Sequence, residues 1–344
     1  MPDTTRKDVV TLRFTSSGDD TFWLETTDVL SAKIDTDMYA AGDTFEIGLP
    51  SSIKISAASR CQLYVNGQLE MNGIVDRVVR GYNKKSGYTT VVEGRDLMGI
   101  LVDSYCEEYL DIEGWSIRGV AERLLRRVPY IKRKEIVYSG GADKLDASRA
   151  FTHIDPGSRI CETLQRIALS RGILFYSRPD GTLVFGVPKF KGKNRFSIIN
   201  KTGINQSLIY DCEYIEDTSS RYSKITAITQ TQDDDTVNVT AVKLDDRYPF
   251  YKPYVHVVDE DEASPGKIVT MVLNKQRFDG TSLRYRVSGF SQNSRNWTTD
   301  EICFVDDDRL PFRNNMLIHR RVFALSRTDG STTELYLGYP GVAK

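Results

Sequence analysis

The sequence has 344 residues, of which 47 are acidic and 46 are Lys or Arg, so its formal net charge is only −1. With 40% hydrophobic and 27% charged residues it has the composition of a globular chain of two or three domains at ~150 residues each, and not of a disordered one. The absence of a basic excess argues against a dedicated nucleic-acid-binding protein, and no apolar stretch approaches the ~20 residues of a membrane helix, so we expect no integral membrane association.

Residues 1–103 show the period-2 alternation of half-buried β-strands. Asn66 and Gly67 lie between two alternating segments and predict a tight hairpin, because both central positions of that turn need a positive φ. We expect this region to form a small antiparallel barrel or sandwich. The predicted strands are 9–14, 22–24, 44–49, 62–65, 73–79 and 89–93.

Residues 104–190 change to helical spacing. One predicted helix places Trp115, Val120, Leu124 and Val128 on a single face and ends at Pro129. This pattern predicts a small α/β domain between two β-rich ones.

A second helix in the same region is predicted from its ends. Asp155 is the expected N-cap, Pro156 occupies the first turn, and Gly172 supplies the left-handed residue after the last turn. Strands 173–176 and 182–187 then flank a turn at Asp180 and Gly181. Helix and hairpin together complete the predicted α/β unit.

Residues 191–344 return to a β pattern. One helix is expected within it, capped by Ser264, started by Pro265 and followed by Gly280, and the acidic run 259–262 before it is interpreted as a solvated loop. A second antiparallel barrel with one helix is the predicted architecture. Its strands are 208–214, 224–231, 236–242, 283–290, 301–305, 316–325 and 333–337.

The two β-rich regions share a faint internal likeness. Residues 77–79, a turn and residues 87–94 can be laid on residues 321–323, a turn and residues 330–338 with single-residue gaps. Each pair ends its β-rich region with a long hairpin. The likeness alone does not establish a duplication, because polar hairpins with Thr-rich return strands resemble one another in any case.

Motifs for chemistry are missing from the sequence. It has no nucleophile elbow, no phosphate-binding loop and no zinc-ligand spacing, and its three histidines are isolated from one another. The acidic triplets 233–235 and 306–308 lack the spacing of a calcium loop and are interpreted as turns. The five scattered cysteines suggest reduced thiols. We therefore predict no catalytic, cofactor-binding or metal-binding residues.

Glycoside hydrolysis stays open at this point. It needs only two carboxylates that the fold brings ~5 to 9 Å apart, and the sequence offers 47 candidates. A peptidoglycan hydrolase is therefore the alternative from a different functional class.

Four blocks of sequence resemble the Mu-like phage and prophage baseplate hub family, whose members are tail proteins related to the hubs of larger contractile-tailed phages. The blocks are 63–76, 93–103 with its Gly-Arg-Asp element, 162–172 with the hairpin 179–184, and a last block made of 287–290, Trp297, 316–318 and 333–337. They follow one another in the expected order over nearly the whole chain. The positions that carry the likeness are Asn66, Gly67, Gly73, Gly94, Arg95, Asp96, Gly172, Asp180, Gly181, Gly289 and Trp297.

The resemblance implies a structural role with no catalytic residues and no cofactor. It implies a homotrimer in which two similar barrels per chain, residues 1–103 and 191–344, give a pseudo-sixfold ring around a channel. The implied partners are the tail tube protein, the central spike protein and other baseplate proteins, with DNA only as passing cargo in the lumen. The implied location is the virion baseplate, assembled in the bacterial host cytoplasm, and the hub of a phage-derived toxin-delivery particle is a second alternative.

Overall fold

The structure is a computed structural model that describes residues 8–15, 22–84, 87–128, 130–131, 133–148, 150–189, 192–201, 203–205, 209–230, 237–258, 265–310 and 312–340. Strands account for 50% and helices for 18%, which confirms the mainly β class with some helices. No helix in these ranges is long and apolar enough to cross a membrane. Several predicted features lie outside the described residues, namely Pro129, Ser264, the triplet 233–235 and the run 259–262.

The first β-rich region forms strands close to the predicted ones, with one addition. Strand β3 was not predicted, because its inward positions Ala32 and Thr36 are small or polar and give little hydrophobic contrast. The turn at Asn66 (φ 53°) and Gly67 (φ 79°) has the predicted left-handed backbone. The strands are β1 (Val10–Thr15), β2 (Phe22–Thr26), β3 (Ser31–Asp37), β4 (Thr44–Pro50), β5 (Arg60–Val65), β6 (Gln68–Asn83) and β7 (Gly87–Asp96).

The middle region packs its helices and short strands around a core of their own. Its elements are α1 (Met98–Asp103), β8 (Leu110–Asp111), α2 (Ile117–Leu124), β9 (Val137–Tyr138), β10 (His153–Ile154), α3 (Ile160–Ser170), β11 (Leu174–Ser177) and β12 (Leu183–Gly186). Helix α2 is capped by the Ser116 hydroxyl, which accepts from the Gly119 amide at 3.2 Å.

The predicted start of α3 is wrong. The helix begins at Ile160 with Arg159 before it, and no side chain caps it. Asp155 instead opens a turn in which the Ser158 amide donates to its carbonyl at 3.2 Å. Gly157 has a φ of 88°, a left-handed value that no α-helix contains, so the helix cannot begin at Pro156. The predicted end is right, since Gly172 follows the last turn with a φ of 72°.

The second β-rich region has the predicted strands and five unpredicted ones, β13 and β18 and the two-residue strands β14, β20 and β21. Helix α4 starts at Pro265 and is followed by Gly280, as predicted. The elements are β13 (Phe196–Lys201), β14 (Ile204–Asn205), β15 (Ile209–Glu216), β16 (Lys224–Gln230), β17 (Val237–Leu244), β18 (Pro253–Val257), α4 (Pro265–Asp279), β19 (Thr281–Ser288), β20 (Ser291–Gln292), β21 (Arg295–Asn296), β22 (Glu301–Asp307), β23 (Phe312–Ser326) and β24 (Gly330–Gly338).

The triplet 306–308 is not the simple turn that was expected. Asp306 and Asp307 end β22, and Asp307 is buried. Its carboxylate accepts hydrogen bonds from the Tyr285 hydroxyl at 2.9 Å and from the Asn200 amide at 3.0 Å. The buried carboxylate therefore ties β22 to β19 and β13, because a buried charge needs such donors.

Strands of both β-rich regions join one 14-stranded sheet in the described residues. Their inward side chains share one hydrophobic core, which runs from Val10 to Leu337 along the chain. The described strands of the single chain do not close into a barrel, so the predicted pair of closed barrels is not observed in their pairing. The domain boundaries 103/104 and 190/191 stay predictions.

Each β-rich region contributes the same five-strand arrangement to this sheet. In the first region the order is β3-β4-β7-β6-β5, and in the second it is β15-β19-β24-β23-β22, with every neighbouring pair antiparallel. The chain visits the strands in the same sequence in both regions. The match ends at the next strand, since β1 pairs antiparallel with β5 whereas β13 pairs parallel with β22.

The two copies agree residue by residue in their long hairpin. The β6–β7 hairpin has a bulge at Asp76, and adding 243 to the residue numbers gives the β23–β24 hairpin with its bulge at His319. The first residues of the return strands, Gly87 and Gly330, both have a positive φ. The strand register of the two hairpins confirms the likeness between them. The alignment differs in detail from the one based on sequence, because Arg77 is equivalent to Arg320 and not to Arg321, and no gaps are needed.

The second copy carries an insertion that the first lacks. Between β15 and β19 the chain forms the three-stranded sheet β17-β16-β18, and α4 packs on its face through Val269 and Leu273. In the first copy only residues 38–43 separate the equivalent strands β3 and β4. The inserted unit is therefore an appendage to the repeated five-strand arrangement.

Candidate functional site

The two copies meet where β23 runs past the end of β22 and pairs with β3. The pairing is antiparallel over six residues, from Arg320 opposite Asp37 to Leu325 opposite Ala32. On one face the Arg320 guanidinium donates two hydrogen bonds to the Asp35 carboxylate, at 2.9 and 2.6 Å. We call this pairing the β3–β23 joint. It makes one continuous sheet of the two β-rich regions.

A buried ion pair lies at the joint. Arg321 is 1% exposed and Glu70 on β6 is 3% exposed, and the Arg321 Nη1 atom donates to Glu70 Oε2 at 2.5 Å. The same guanidinium donates to the Trp297 carbonyl at 2.6 Å and to Thr36 Oγ1 at 3.0 Å. Asn296 donates to the other carboxylate oxygen at 2.6 Å. Elements from both copies thus share one polar network inside the apolar core.

The predicted turn residue Asn66 lies beside this network. Its amide donates to Asp8 at 2.8 Å and to Asn296 at 3.3 Å, and its side-chain oxygen accepts from the Val9 amide at 3.0 Å. The left-handed backbone at Asn66 and Gly67 turns this side chain back toward β1.

Gly289 and Trp297 reach the same region from the second copy. Trp297 is buried against Phe196, with ring centroids 4.7 Å apart. Gly289 (φ 75°) precedes Phe290, whose amide donates to the Asp8 carboxylate at 3.0 Å. Asp8 therefore links the start of the first β-rich region to the turn after β19.

The two predicted glycines of the first hairpin are sites of close backbone approach. A Cβ on Gly73 would lie 2.3 Å from the Arg95 carbonyl oxygen, and one on Gly94 would lie 2.1 Å from the Ile74 carbonyl oxygen. Only glycine fits where β6 and β7 approach this closely.

Arg95 and Asp96 fix the end of β7. The Arg95 guanidinium bonds the carboxylates of Asp76, at 2.7 and 3.2 Å, and Asp103, at 3.3 and 2.5 Å. These bonds lower the pKa of Asp103. Asp96 is buried, and it accepts from the Met98 amide at 3.1 Å and from the Ser177 hydroxyl. The pair anchors the bulge at Asp76 and the start of α1.

The remaining predicted positions join the middle region to the sheet. Gly181 (φ 83°) lies in the β11–β12 turn, and its Cα faces Leu97 and Asn72 so closely that a Cβ would lie 2.9 Å from Leu97 Cδ1. The Asp180 carbonyl accepts from the Asn72 amide at 3.4 Å. Gly172 stands apart from these, near Met271 of α4. The eleven predicted positions are thus distributed over several structural contacts, and their role in a family stays a prediction.

Two solved structures that match nearly the whole chain are tail proteins. The tail protein of Neisseria meningitidis MC58 is 25% identical, with 97% of each chain covered and a TM-score of 0.79. The 43 kDa tail protein of prophage MuSo2 from Shewanella oneidensis is 18% identical, with 96% of this chain and 98% of that chain covered and a TM-score of 0.76.

The chain is a structural match to phage and prophage tail proteins. The E. coli c3393 protein has a similar fold, with a TM-score of 0.55 and 10% identity over 90% of this chain and 73% of that chain. It is a component of the type VI secretion system and is described as structurally similar to the T4 tail proteins gp27 and gp5. No protein-family model matches the sequence, and no curated protein sequence matches it. The match therefore rests on the shape of the whole chain.

Within this tail-protein fold, the most strongly perturbed carboxyl groups are Asp43 and Asp96. Burial raises the pKa of Asp96 to about 6, and burial together with the neighbouring Asp96 charge raises the pKa of Asp43. The cavity beside Asp43 and Ser177 holds about 20 Å³, room for roughly one water molecule and not for a sugar ring. This carboxyl pair gives no support to the hydrolase alternative.

The residues of the buried network were missed from the sequence. Glu70 and Arg321 are 251 residues apart, and each lies in an ordinary alternating strand where a charged residue predicts a solvent-facing position. Glu70 lies in the family-like block 63–76 and Arg321 in the hairpin 321–338, but nothing in the local pattern pairs them. Among the described residues, no group of three or more His, Cys, Asp or Glu side chains could hold a metal ion.

We predict a pH dependence of stability from Asp96. Because its folded-state pKa lies above the ordinary 3.8, the folded protein binds more protons than the unfolded chain between pH 4 and pH 6. The free energy of unfolding contributed by Asp96 therefore falls as pH rises through this window. As pH rises from 4.5 to 7.5, the free energy of unfolding of Asp96→Asn should increase by about 1–3 kcal/mol relative to that of the parent, at ~1.4 kcal/mol per pKa unit. Urea unfolding at several pH values measures this difference. A difference that does not change with pH would contradict the assignment.

Proposed function

We propose that the chain is a non-catalytic structural subunit of a phage or prophage tail baseplate, and that three copies close a ring at the hub. The observation that best supports this proposal is the repeated five-strand arrangement, in a fold that matches a tail protein over nearly its full length. Three chains with two copies each supply six similar modules. Such a ring can seat a six-fold tail tube, because symmetry around a closed ring requires matching repeats.

The ring explains why one chain carries two copies. A threefold central spike needs three equal contacts, and a six-fold tube needs six. A trimer of a duplicated chain offers both. The proposed partners are therefore the tail tube protein on one side, the central spike protein on the other and further baseplate proteins around the ring. The closed, barrel-like modules expected from the sequence would be completed in this assembly.

The channel is proposed to pass DNA without holding it. Double-stranded DNA carries about one charge per 1.7 Å, so a strongly basic wall would retain it. The net charge of −1 is compatible with free passage. A type VI secretion component shares the fold, and a toxin-delivery particle would use the same ring for another cargo.

The proposal predicts a trimer in solution. Light scattering coupled to size exclusion should give a mass near three times 39.0 kDa at micromolar concentration or above. Obligate interfaces of roughly 2,000 Å² or more would keep that mass stable on dilution. A chain that stays monomeric at high concentration would contradict the ring. A trimer that retains double-stranded DNA at physiological salt would contradict the free passage.

A further inference from the structure

The β3–β23 joint has an unoccupied counterpart in the same chain. The repeat makes β6 the equivalent of β23, and β15 the equivalent of β3. Beyond its bulge, β23 leaves β22 and pairs with β3. β6 likewise leaves β5 after Ile74, just before its own bulge at Asp76. Beyond that bulge, β6 has β7 on one side and no described strand on the other. β15 has β19 on one side and no described strand on the other.

We propose that residues 77–82, the outer part of β6, pair with β15 of a neighbouring chain. This contact would repeat the β3–β23 joint between chains. The inference rests on the trimeric ring proposed above and identifies the strands through which neighbouring subunits of that ring would bind each other. Transferring the register of the internal joint through the repeat gives antiparallel partners. These are Arg77 opposite Asp217, Val78 opposite Glu216, Val79 opposite Ile215, Arg80 opposite Tyr214, Gly81 opposite Glu213 and Tyr82 opposite Cys212.

The side chains on the two edges are complementary. Val79 is 36% exposed and Ile215 is 48% exposed, and the transferred register places these two apolar residues directly opposite each other. Exposed apolar side chains on an edge strand are unusual unless something covers them.

The charges on the two edges are also opposite. The outer part of β6 carries Arg77 and Arg80, whereas the facing segment carries Glu213, Glu216 and Asp217. Opposite charges across paired strands favour the pairing, and like charges disfavour it. Two copies of β6, or two copies of β15, would repel each other, so the charge pattern selects a head-to-tail contact between unlike edges. Such a contact closes into a ring when the rotation allows it.

A single substitution tests the register. Tyr82→Cys would place a thiol opposite the native, half-buried Cys212 of the next chain. Directly opposed strand residues have Cα atoms ~4.5 to 5.5 Å apart, within the range that a disulfide spans. After mild oxidation, we expect non-reducing gels to show covalent dimers and trimers of the chain, at two and three times 39.0 kDa. Adding Cys212→Ser should abolish these bands.

Tyr88→Cys is the matched control. Tyr88 lies opposite Tyr82 in the same hairpin, with ring centroids 4.8 Å apart, and it is 69% exposed against 66% for Tyr82. It belongs to β7, one strand further from the proposed partner. Its thiol should therefore give no covalent oligomer with Cys212.

A second pair protects the test against a local failure. The pair Val79→Cys and Ile215→Cys lies three positions from the 82/212 pair in the same register. Hydrogen-bonded and non-hydrogen-bonded pairs alternate along antiparallel strands, so the two cysteine pairs test one site of each kind. A particle with trimer mass that cross-links at neither position overturns this contact and leaves the ring standing. A chain that is monomeric and uncross-linked overturns the ring together with the contact.

Discussion

Arg321→Leu is expected to lower the free energy of unfolding by about 3–5 kcal/mol, because it leaves the Glu70 carboxylate buried without its cation. The loss also removes the donors to the Trp297 carbonyl and the Thr36 hydroxyl. Whole domains are stable by only ~5–15 kcal/mol, so the variant should unfold at markedly lower urea concentration. Glu70→Leu should cost a similar amount, since it leaves the buried Arg321 charge without its anion and removes one acceptor of the Asn296 amide.

The double variant Glu70→Leu, Arg321→Leu separates charge burial from packing. Replacing both partners of a buried pair by apolar residues is often neutral, so the double variant should be more stable than either single one. Urea unfolding of the four proteins in a double-mutant cycle gives the coupling energy. Glu25→Ala is the control, since its pair with Arg13 is exposed (2.7 Å) and its loss should change the free energy of unfolding only within a small range. Single variants within that same small range would contradict the role of the network.

Local features of the fold could be predicted where the chemistry is local. The Asn66-Gly67 turn needs a positive φ at two successive residues, and few other dipeptides supply it. Gly172 ends α3 for the same backbone reason. The hairpin likeness was visible because the turn residues Gly87 and Gly330 fix the register of the strands that they join.

Long-range pairing could not be predicted in this way. The β3–β23 joint brings together residues 285 apart in the sequence, such as Asp35 and Arg320. Alternation shows which residues of a strand face inward, but it does not show which strand lies alongside. The sequence pattern therefore indicated two separate barrels, whereas β23 extends past β22 and joins both regions in one sheet.

Gly94→Ala is expected to destabilise the protein by about 2–3 kcal/mol through overpacking. The new methyl group would lie 2.1 Å from the Ile74 carbonyl oxygen and 2.5 Å from the Phe45 ring, and the carbonyl belongs to the paired strand β6. Since side chains cannot relieve a clash with backbone, β6 and β7 would have to separate at the bulge. Gly73→Ala should behave alike, with its methyl 2.3 Å from the Arg95 carbonyl oxygen.

Gly81→Ala provides the control for this prediction on the same strand. A Cβ there meets only Thr89 Oγ1, at 3.9 Å, and the backbone is not left-handed. Alanine should therefore be neutral or stabilising by about 0.4–1 kcal/mol, because it restricts the unfolded chain. Thermal and urea unfolding of the three variants would rank them. Equal losses for Gly94→Ala and Gly81→Ala would mean that close approach of β6 and β7 is not what requires glycine. A large loss at Gly94 and Gly73 alone would show that the bulge depends on two residues without side chains.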